Sequence, residues 1–536
     1  MTTVCLLITL LTFFISGCNF RAVETAPLTP TTVRVTIDHG SPVPTLNVPA
    51  SRVLQSVPTP TPLIEIPPTN TPDGACPGSG ADIRSEHTVA AEIDYAAKVV
   101  NVRHQVRWTN HSGDAVDTFV LNLEPNRFSG VVTVNEVNVE ALTGEEIIQA
   151  TAYELGGRRL TVELSAPLAI GCALQAELVY RLAVPPVGTG LNALNGYFGY
   201  TVRQMNLGHW LATVAVNRSG EWISHDAVQI GEQIVAESAN WDVTLTVINA
   251  PSDMTIAAPG QLDRPENAVW HYQLDGSREF AASLSDEFNV TLQDAPDGTM
   301  VELYSFREAA SGGTTGAVDG AGHALLVAVN SLGMYSDLFG AFPYPRFVVV
   351  EGDFADGMEF SGMVFVGRDW FRGFTGEPGG YLTIITVHEV AHQWWYARVG
   401  NDQAVTPWLD EALATYSEYV FFEEFYPDLR DWWWEFRVNS FVRSQSDYIA
   451  ASVDSPVYTF STVRQYINAV YLRGARMLHA LREDLGTDPF FDWLRRYSEA
   501  GANRVVTPDI FWSLLSPEQL EQTRDTRVEF LTDSDY

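Results

Sequence analysis

From about residue 76 to 297 the apolar side chains of this chain fall on every second position, and beyond 298 helical spacing of every third or fourth joins that pattern. That change of period restricts the chain to two kinds of structure in series, because strands present alternate residues to one face and helices every third or fourth. Val100, Val102, His104, Val106 and Trp108 alternate with polar neighbours, as do Leu160, Val162 and Leu164, and again Trp241, Val243, Leu245 and Val247. The gaps between such runs are short and rich in turn residues, which predicts half-buried antiparallel strands and one all-β domain over 76–297. From 298 to 536 the pattern mixes. Thr299 to Phe306 and Phe347 to Glu351 read as strands, Ala324 to Leu338 as a helix, and further helical patterns begin near Tyr381, Trp408, Tyr466 and Pro508. A small sheet followed by helices predicts an α+β domain. At 536 residues the chain is too long for one ordinary domain.

The segment ahead of residue 76 reads differently. Val4 to Ile15 is an unbroken run of apolar residues and threonine, too short for a spanning helix of about 20 residues but suited to the apolar core of an export signal. It ends in Ile15-Ser16-Gly17-Cys18, which resembles the bacterial lipobox, so residues 1–17 are expected to be a lipoprotein signal peptide and Cys18 the lipidated new N-terminus. Met1-Thr2-Thr3 departs from that pattern in carrying no Lys or Arg, and an ordinary cleaved signal with a secreted product is the alternative. Residues 18–75 contain Pro58-Thr59-Pro60-Thr61-Pro62 and Pro67-Pro68-Thr69. Such Thr/Pro-rich sequence favours extended polyproline II, about 3.1 Å per residue, and reads as a semi-rigid spacer. Membrane contact is expected only through the lipid. With a formal net charge of −34 and Lys98 as its single lysine, the chain would be repelled by nucleic acid. Cys76 and Cys172 are the remaining cysteines of the exported region; they either pair as a disulfide, as an oxidising compartment allows, or are two unrelated thiols.

His388-Glu389-Val390-Ala391-His392 follows the largely apolar run Leu382 to Val387. On a helix, residues i and i+4 share a face, so both imidazoles reach one ion, with Glu389 beside it as a base for water. A catalytic zinc takes three protein ligands and keeps one position open. The third candidate is Glu411, separated from His392 by eighteen residues and lying in the helical pattern Trp408 to Glu418. Two imidazoles and a carboxylate suit one Zn²⁺ per chain, although Co²⁺ or Mn²⁺ fit the same ligand types. The plain alternative is a surface helix with two histidines and no metal.

His388-Glu-Val-Ala-His-Gln-Trp-Trp with Trp408-Leu-Asp-Glu-Ala-Leu-Ala-Thr-Tyr-Ser-Glu418 at that interval resembles the aminopeptidase N and leukotriene hydrolase family of gluzincin zinc metallopeptidases. Asp356-Gly357-Met358-Glu359-Phe360 stands where that family carries G-x-M-E-N, and Tyr466 with Tyr471-Leu472-Arg473-Gly474 resembles its paired tyrosines ahead of Y-x-K-G. The resemblance implies a saddle-like β domain packed on a thermolysin-like catalytic domain, in a minimal two-domain form, acting on peptides as an aminopeptidase. It assigns His388, His392 and Glu411 to zinc, Glu389 to general base, and Tyr471 to the developing oxyanion; from its surroundings alone Tyr471 could equally be a core aromatic. Glu359 would hold the substrate's α-ammonium, with Gly357 and Met358 aligning the peptide as an added strand. Asp356 and Phe360 depart from the signature, which keeps a zinc endopeptidase open as an alternative. A catalytically silent binding lipoprotein is the remaining one. For the β-domain Glu or Gln that the family adds near the amine, Gln204 in Arg203-Gln-Met-Asn-Leu-Gly-His209-Trp210 is the candidate, His209 being structural. Glu418 is either a carboxylate that orients a ligand or a solvated helix residue, and Trp432, Trp433 and Trp434 read as packing.

Overall fold

The computed structural model describes residues 33–36, 76, 84–143, 146–188, 196–307, 319–442 and 451–532. The proposed signal, Cys18 and most of the proposed spacer lie outside them. Inside the stretch read as a spacer, however, Val33–Thr36 is a strand, antiparallel to the strand Glu146–Gly156 with Val33 opposite Leu155. Its sequence, Val-Arg-Val-Thr, is rich in β-branched residues, which suit a pleated edge more than a polyproline spacer.

The N-terminal half is built on a 12-stranded sheet. At its centre Val99–Thr109 runs antiparallel to Ala173–Ala183, with His104 opposite Leu178. The alternation read from the sequence is the burial pattern: Val100, Val102, His104, Val106 and Trp108 face the core, and so do Trp241, Val243, Leu245 and Val247. One pairing differs from an all-antiparallel expectation. Ser85–Asp94 lies parallel to Ala239–Ile248, which needs a long crossover that strand periodicity cannot reveal. Cys76 and Cys172 form a disulfide, with their Cα atoms 5.4 Å apart. It ties the start of the folded region to the head of the strand Ala173–Ala183.

A second, five-stranded sheet begins the C-terminal half. Its order is Phe288–Asp294, Met300–Phe306, Arg346–Gly352, Met363–Gly367, Met358–Phe360. The three inner strands are parallel and both edges antiparallel. Phe288–Asp294 pairs with Met300–Phe306, so this sheet begins ahead of residue 298. The Asp297-Gly298 turn is a hairpin turn, with Gly298 at φ 87° and the Thr299 amide donating to Asp297.

Two helices cross behind this sheet. Tyr381–Ala391 is buried from Leu382 onward, and Trp408–Phe425 is buried from Trp408 to Phe422. Helices apolar all round belong inside a core, and Trp394, Trp395 and Trp408 are fully enclosed beside them. The same burial takes in His388, Glu389, Asp410, Glu411 and Glu418. Among the described residues no helix is long and apolar enough to cross a membrane.

The disulfide closes a loop of 96 residues, for which removal typically costs about 2–5 kcal/mol. Cys172→Ala is expected to lower the denaturant midpoint of the oxidised protein to that of the reduced wild type. Equal midpoints for oxidised and reduced wild type would show that the cross-link adds no stability.

Candidate metal centre

The helix Tyr381–Ala391 ends at His392, and its two histidines lie on one face with ring centroids 4.7 Å apart. Glu411, in the first turn of Trp408–Phe425, reaches both: its Oε2 is 3.2 Å from His388 Nε2 and 3.5 Å from His392 Nε2. The ligand atoms of all three residues lie within 4.8 Å of one another. Tetrahedral zinc with bonds of about 2.0–2.1 Å separates its ligand atoms by about 3.3 Å, so these donors fit that ion.

The outer ring nitrogens are occupied. His388 Nδ1 lies 2.9 Å from Glu418 Oε1, and His392 Nδ1 lies 2.6 Å from Asp410 Oδ1 and 3.0 Å from the Trp395 carbonyl. Each carboxylate fixes the tautomer that leaves Nε2 free to bind a metal. Glu418 is fully buried, which removes the solvated reading, and receives Arg437 Nε and Nη2 at 2.9 Å and Trp433 Nε1 at 3.2 Å. Asp410 is held by Gln403 at 2.7 Å. Sequence reasoning missed Asp410, Arg437 and the indole of Trp433. Only Asp410 carried a signal, its place directly before Glu411.

Without a metal the site is tuned by these contacts. Burial opposes charge on His388, but its bonds to Glu411 and Glu418 outweigh that and raise it to about 9. Burial pushes Glu411 up, yet the two histidines hold it well below the usual carboxylate range. Glu389 is pushed up to about 8, chiefly by burial. Its Oε2 has no hydrogen-bond partner among the described residues, a buried acceptor left open. The backbone passes so close to it that a Cβ on Gly357 would collide with the Glu389 carboxylate. Asp356, where the family signature begins with glycine, adopts φ 82°, the left-handed region that glycine enters without strain.

Tyr471 stacks on His388 with nearly parallel rings, 5.8 Å between centroids, and its hydroxyl donates to Glu411. It lies on a π-helical segment, Ile467–Leu472, the kind of helix irregularity that recurs at functional sites. Burial and the neighbouring Glu411 raise its pKa, so the phenol stays a proton donor. Tyr466 packs edge-on against it.

Glu359 is buried on the edge strand Met358–Phe360, and one of its oxygens lies within 4.8 Å of ligand atoms of His392 and Asp410. Phe360, in place of asparagine, is anchored by packing on His209 and Tyr197. His209 has the structural role expected of it. Gln204 does not reach Glu359's surroundings with anything free. Its amide donates to Ser283 and to the Glu351 carbonyl, and its oxygen accepts from Asp353 and Asn206, which uses its whole bonding capacity. In the β half, Glu232 is a carboxylate on which the charges of this site act. Burial, followed by the negative charge of Glu359, Glu411 and Asp410, raises its pKa well above the usual range. Its loop is fastened to the C-terminal half by His225 on Asp402 at 2.9 Å and by Tyr458 on the Asp226 carbonyl. No local pattern marks Glu232, because only the fold brings that loop across the cleft.

Residues 323–531 match the sequence model of the Peptidase family M1 domain. Aminopeptidase M1-A of Oryza sativa subsp. japonica is 27% identical over 230 residues, 41% of this chain and 25% of that protein. Endoplasmic reticulum aminopeptidase 2 of Bos taurus is 25% identical over 414 residues, 72% of this chain and 41% of that protein. The chain thus spans less than half the length of these curated relatives. A solved M1 zinc metallopeptidase from Deinococcus radiodurans shares the fold, with a TM-score of 0.56 at 17% identity over 83% of this chain and 92% of that one. A mutant of that enzyme has been solved with a Tyr-Ser-Ala substrate bound.

Two outcomes are expected of the metal centre. Glu418→Gln removes the charge behind His388 and lowers zinc affinity by about 10–100-fold, read by competition with a calibrated chelator. The second concerns pH. His388 has a raised pKa, so its contribution to stability is present below its ordinary value of 6.5 and is lost as pH climbs through about 9. Glu389, also raised, favours the folded state only while protonated, so stability falls as pH climbs from 4.5 to about 8. Both act in one direction. Chelated protein should lose stability between about pH 5 and pH 9, and added zinc should stabilise it more at the top of that window. Thermal midpoints of chelated and zinc-loaded protein across the range measure this; a constant gap would refute it.

Proposed function

We propose that this chain, whose residues 323–531 belong to peptidase family M1, is a zinc-dependent aminopeptidase that removes residues from the N-termini of peptides. One observation carries the reading. A buried carboxylate, Glu359, lies beside the metal-ligand cluster, and a second, Glu232, faces it electrostatically from the other half of the molecule. Two carboxylates placed together favour a shared cation. A peptide's α-ammonium held there lies a fixed, short distance from the metal, so the bond presented for cleavage is the first one.

His388, His392 and Glu411 would hold one Zn²⁺, which when bound supplies Lewis-acid activation of water and of the scissile carbonyl. The protein groups do the rest. Glu389, with its free Oε2, takes the proton of the attacking water and returns it to the leaving amine. Tyr471, kept protonated beside His388, donates to the carbonyl oxygen as negative charge develops on it. The edge strand Met358–Phe360 has one side free for the substrate backbone, and Gly357 lets the chain pass close over Glu389.

For localisation we infer export and lipid attachment at Cys18. The lipobox-like Ile15-Ser16-Gly17-Cys18 supports it, as does the Cys76–Cys172 disulfide, since such bonds persist in oxidising compartments.

Aminoacyl fluorogenic amides, run beside their N-acetylated forms, test the activity. Cleavage of the free-amine substrates alone is expected, lost on chelation and reduced about 10²–10⁴-fold in kcat by Glu389→Gln. Equal cleavage of acetylated substrates would refute the exopeptidase reading and identify an endopeptidase with the same chemistry.

A further inference from the structure

We propose that Glu279 and Tyr396 form a buried link through which the β domain fixes the position of Glu359, making both of them positioning residues for recognition of the substrate amine. The inference rests on the reading of Glu359 as the amine anchor.

Glu279 lies between two strands of the N-terminal half, 3% exposed, and Tyr396 lies just past the metal-binding helix, 5% exposed. The Tyr396 hydroxyl donates to Glu279 Oε2. Glu279 Oε1 accepts the backbone amide of Ser361 at 2.6 Å, two residues from Glu359. From the opposite side Gln393, the residue after His392, accepts the Gly362 amide at 2.8 Å and donates to the Phe360 carbonyl at 3.0 Å. The backbone that leaves Glu359 is therefore held at three consecutive residues, the middle one by the β domain and the outer two by the metal-binding segment.

The neighbouring Arg278 completes the junction. Its guanidinium donates to the carbonyls of Tyr396 at 2.5 Å, Ala236 at 2.6 Å and Arg504 at 2.9 Å, and its own amide donates to Ser361 Oγ at 3.1 Å. Gly400 leaves the room it needs, because a Cβ there would collide with the guanidinium. Stability alone does not call for such an arrangement. Buried ionic and polar groups are often replaced by apolar ones without loss, whereas fixed hydrogen bonds define direction. Tyr396 also holds a φ of 150°, a region that residues with side chains seldom occupy. Strain of that sort persists where the surrounding structure demands one geometry. The geometry at stake is the spacing between Glu359 and the metal, where an error of about 1 Å can cost about 100-fold in rate.

The test uses the full chain carrying Glu389→Gln, loaded with zinc, so that peptides bind without turnover. Calorimetry measures tri-alanine and N-acetyl-tri-alanine. Adding Tyr396→Phe is expected to weaken tri-alanine about tenfold, the order of one hydrogen bond to a charged group, while leaving the acetylated peptide and the zinc content unchanged. Glu279→Gln, which keeps an acceptor for Ser361, is expected to fall between the two. Discrimination by the parent that Tyr396→Phe leaves intact, even with a lower thermal midpoint, overturns the link and makes it structural glue. Equal binding of both peptides by the parent overturns the reading of Glu359, and the link with it.

Discussion

Five carboxylates, Glu359, Glu389, Asp410, Glu411 and Glu418, are buried around one pair of histidines. Charge removed from water must be matched or neutralised, since an unmatched buried ion costs several kcal/mol even after relaxation. The protein meets this in layers. Arg437 answers Glu418, which answers His388; Gln403 and His392 answer Asp410. The charge that protein groups leave over, on Glu411 and on Glu359 with Glu232, is what a divalent ion and an ammonium group would balance. A metal and the proposed substrate would thus complete an electrostatic arrangement that the apolar helices around it have already made costly to leave open.

That arrangement depends on two domains being held as one. The loop that carries Glu232 comes from the β half, while every proposed metal ligand comes from the other. His225 on Asp402, Arg278 on the carbonyls of Tyr396, Arg398 and Arg504, and Glu279 on Ser361 are among the crossings that keep them in register. The large sheet contributes no proposed metal ligand.

The parts of this structure that could be read from the sequence are those governed by short-range rules. His388, Glu389 and His392 fall within five consecutive positions at the end of a helix, and Glu411 heads the next strong helical pattern, so local period was enough to place them together. The strands from Val99 to Thr109 and Ala239 to Ile248 obeyed alternation for the same reason. Where the outcome depended on contacts far apart in sequence, local reading failed. Gln204 looked suited to an amine, but its amide is spent on Ser283, Glu351 and Asp353, partners from two other segments. Glu232 has unremarkable neighbours and acquires its role only from the path of its loop. The hairpin at Asp297-Gly298 shows a third case, in which the change of period near 298 coincides with a bend within one sheet, because Phe288–Asp294 pairs with Met300–Phe306 across it.

The π-helical segment at Ile467–Leu472 has a consequence for the two tyrosines that flank its start and finish. On a regular α-helix, residues five apart point about 140° away from one another. Tyr466 and Tyr471 are five apart, yet their rings meet at 5.4 Å between centroids. The widened turn rotates the second back over the first, so that both look into the cleft. Chain length through this segment is then itself a functional quantity. Deleting a single residue would restore an ordinary helix with all its backbone bonds intact, and would carry Tyr471 off His388 without changing any side chain in the site.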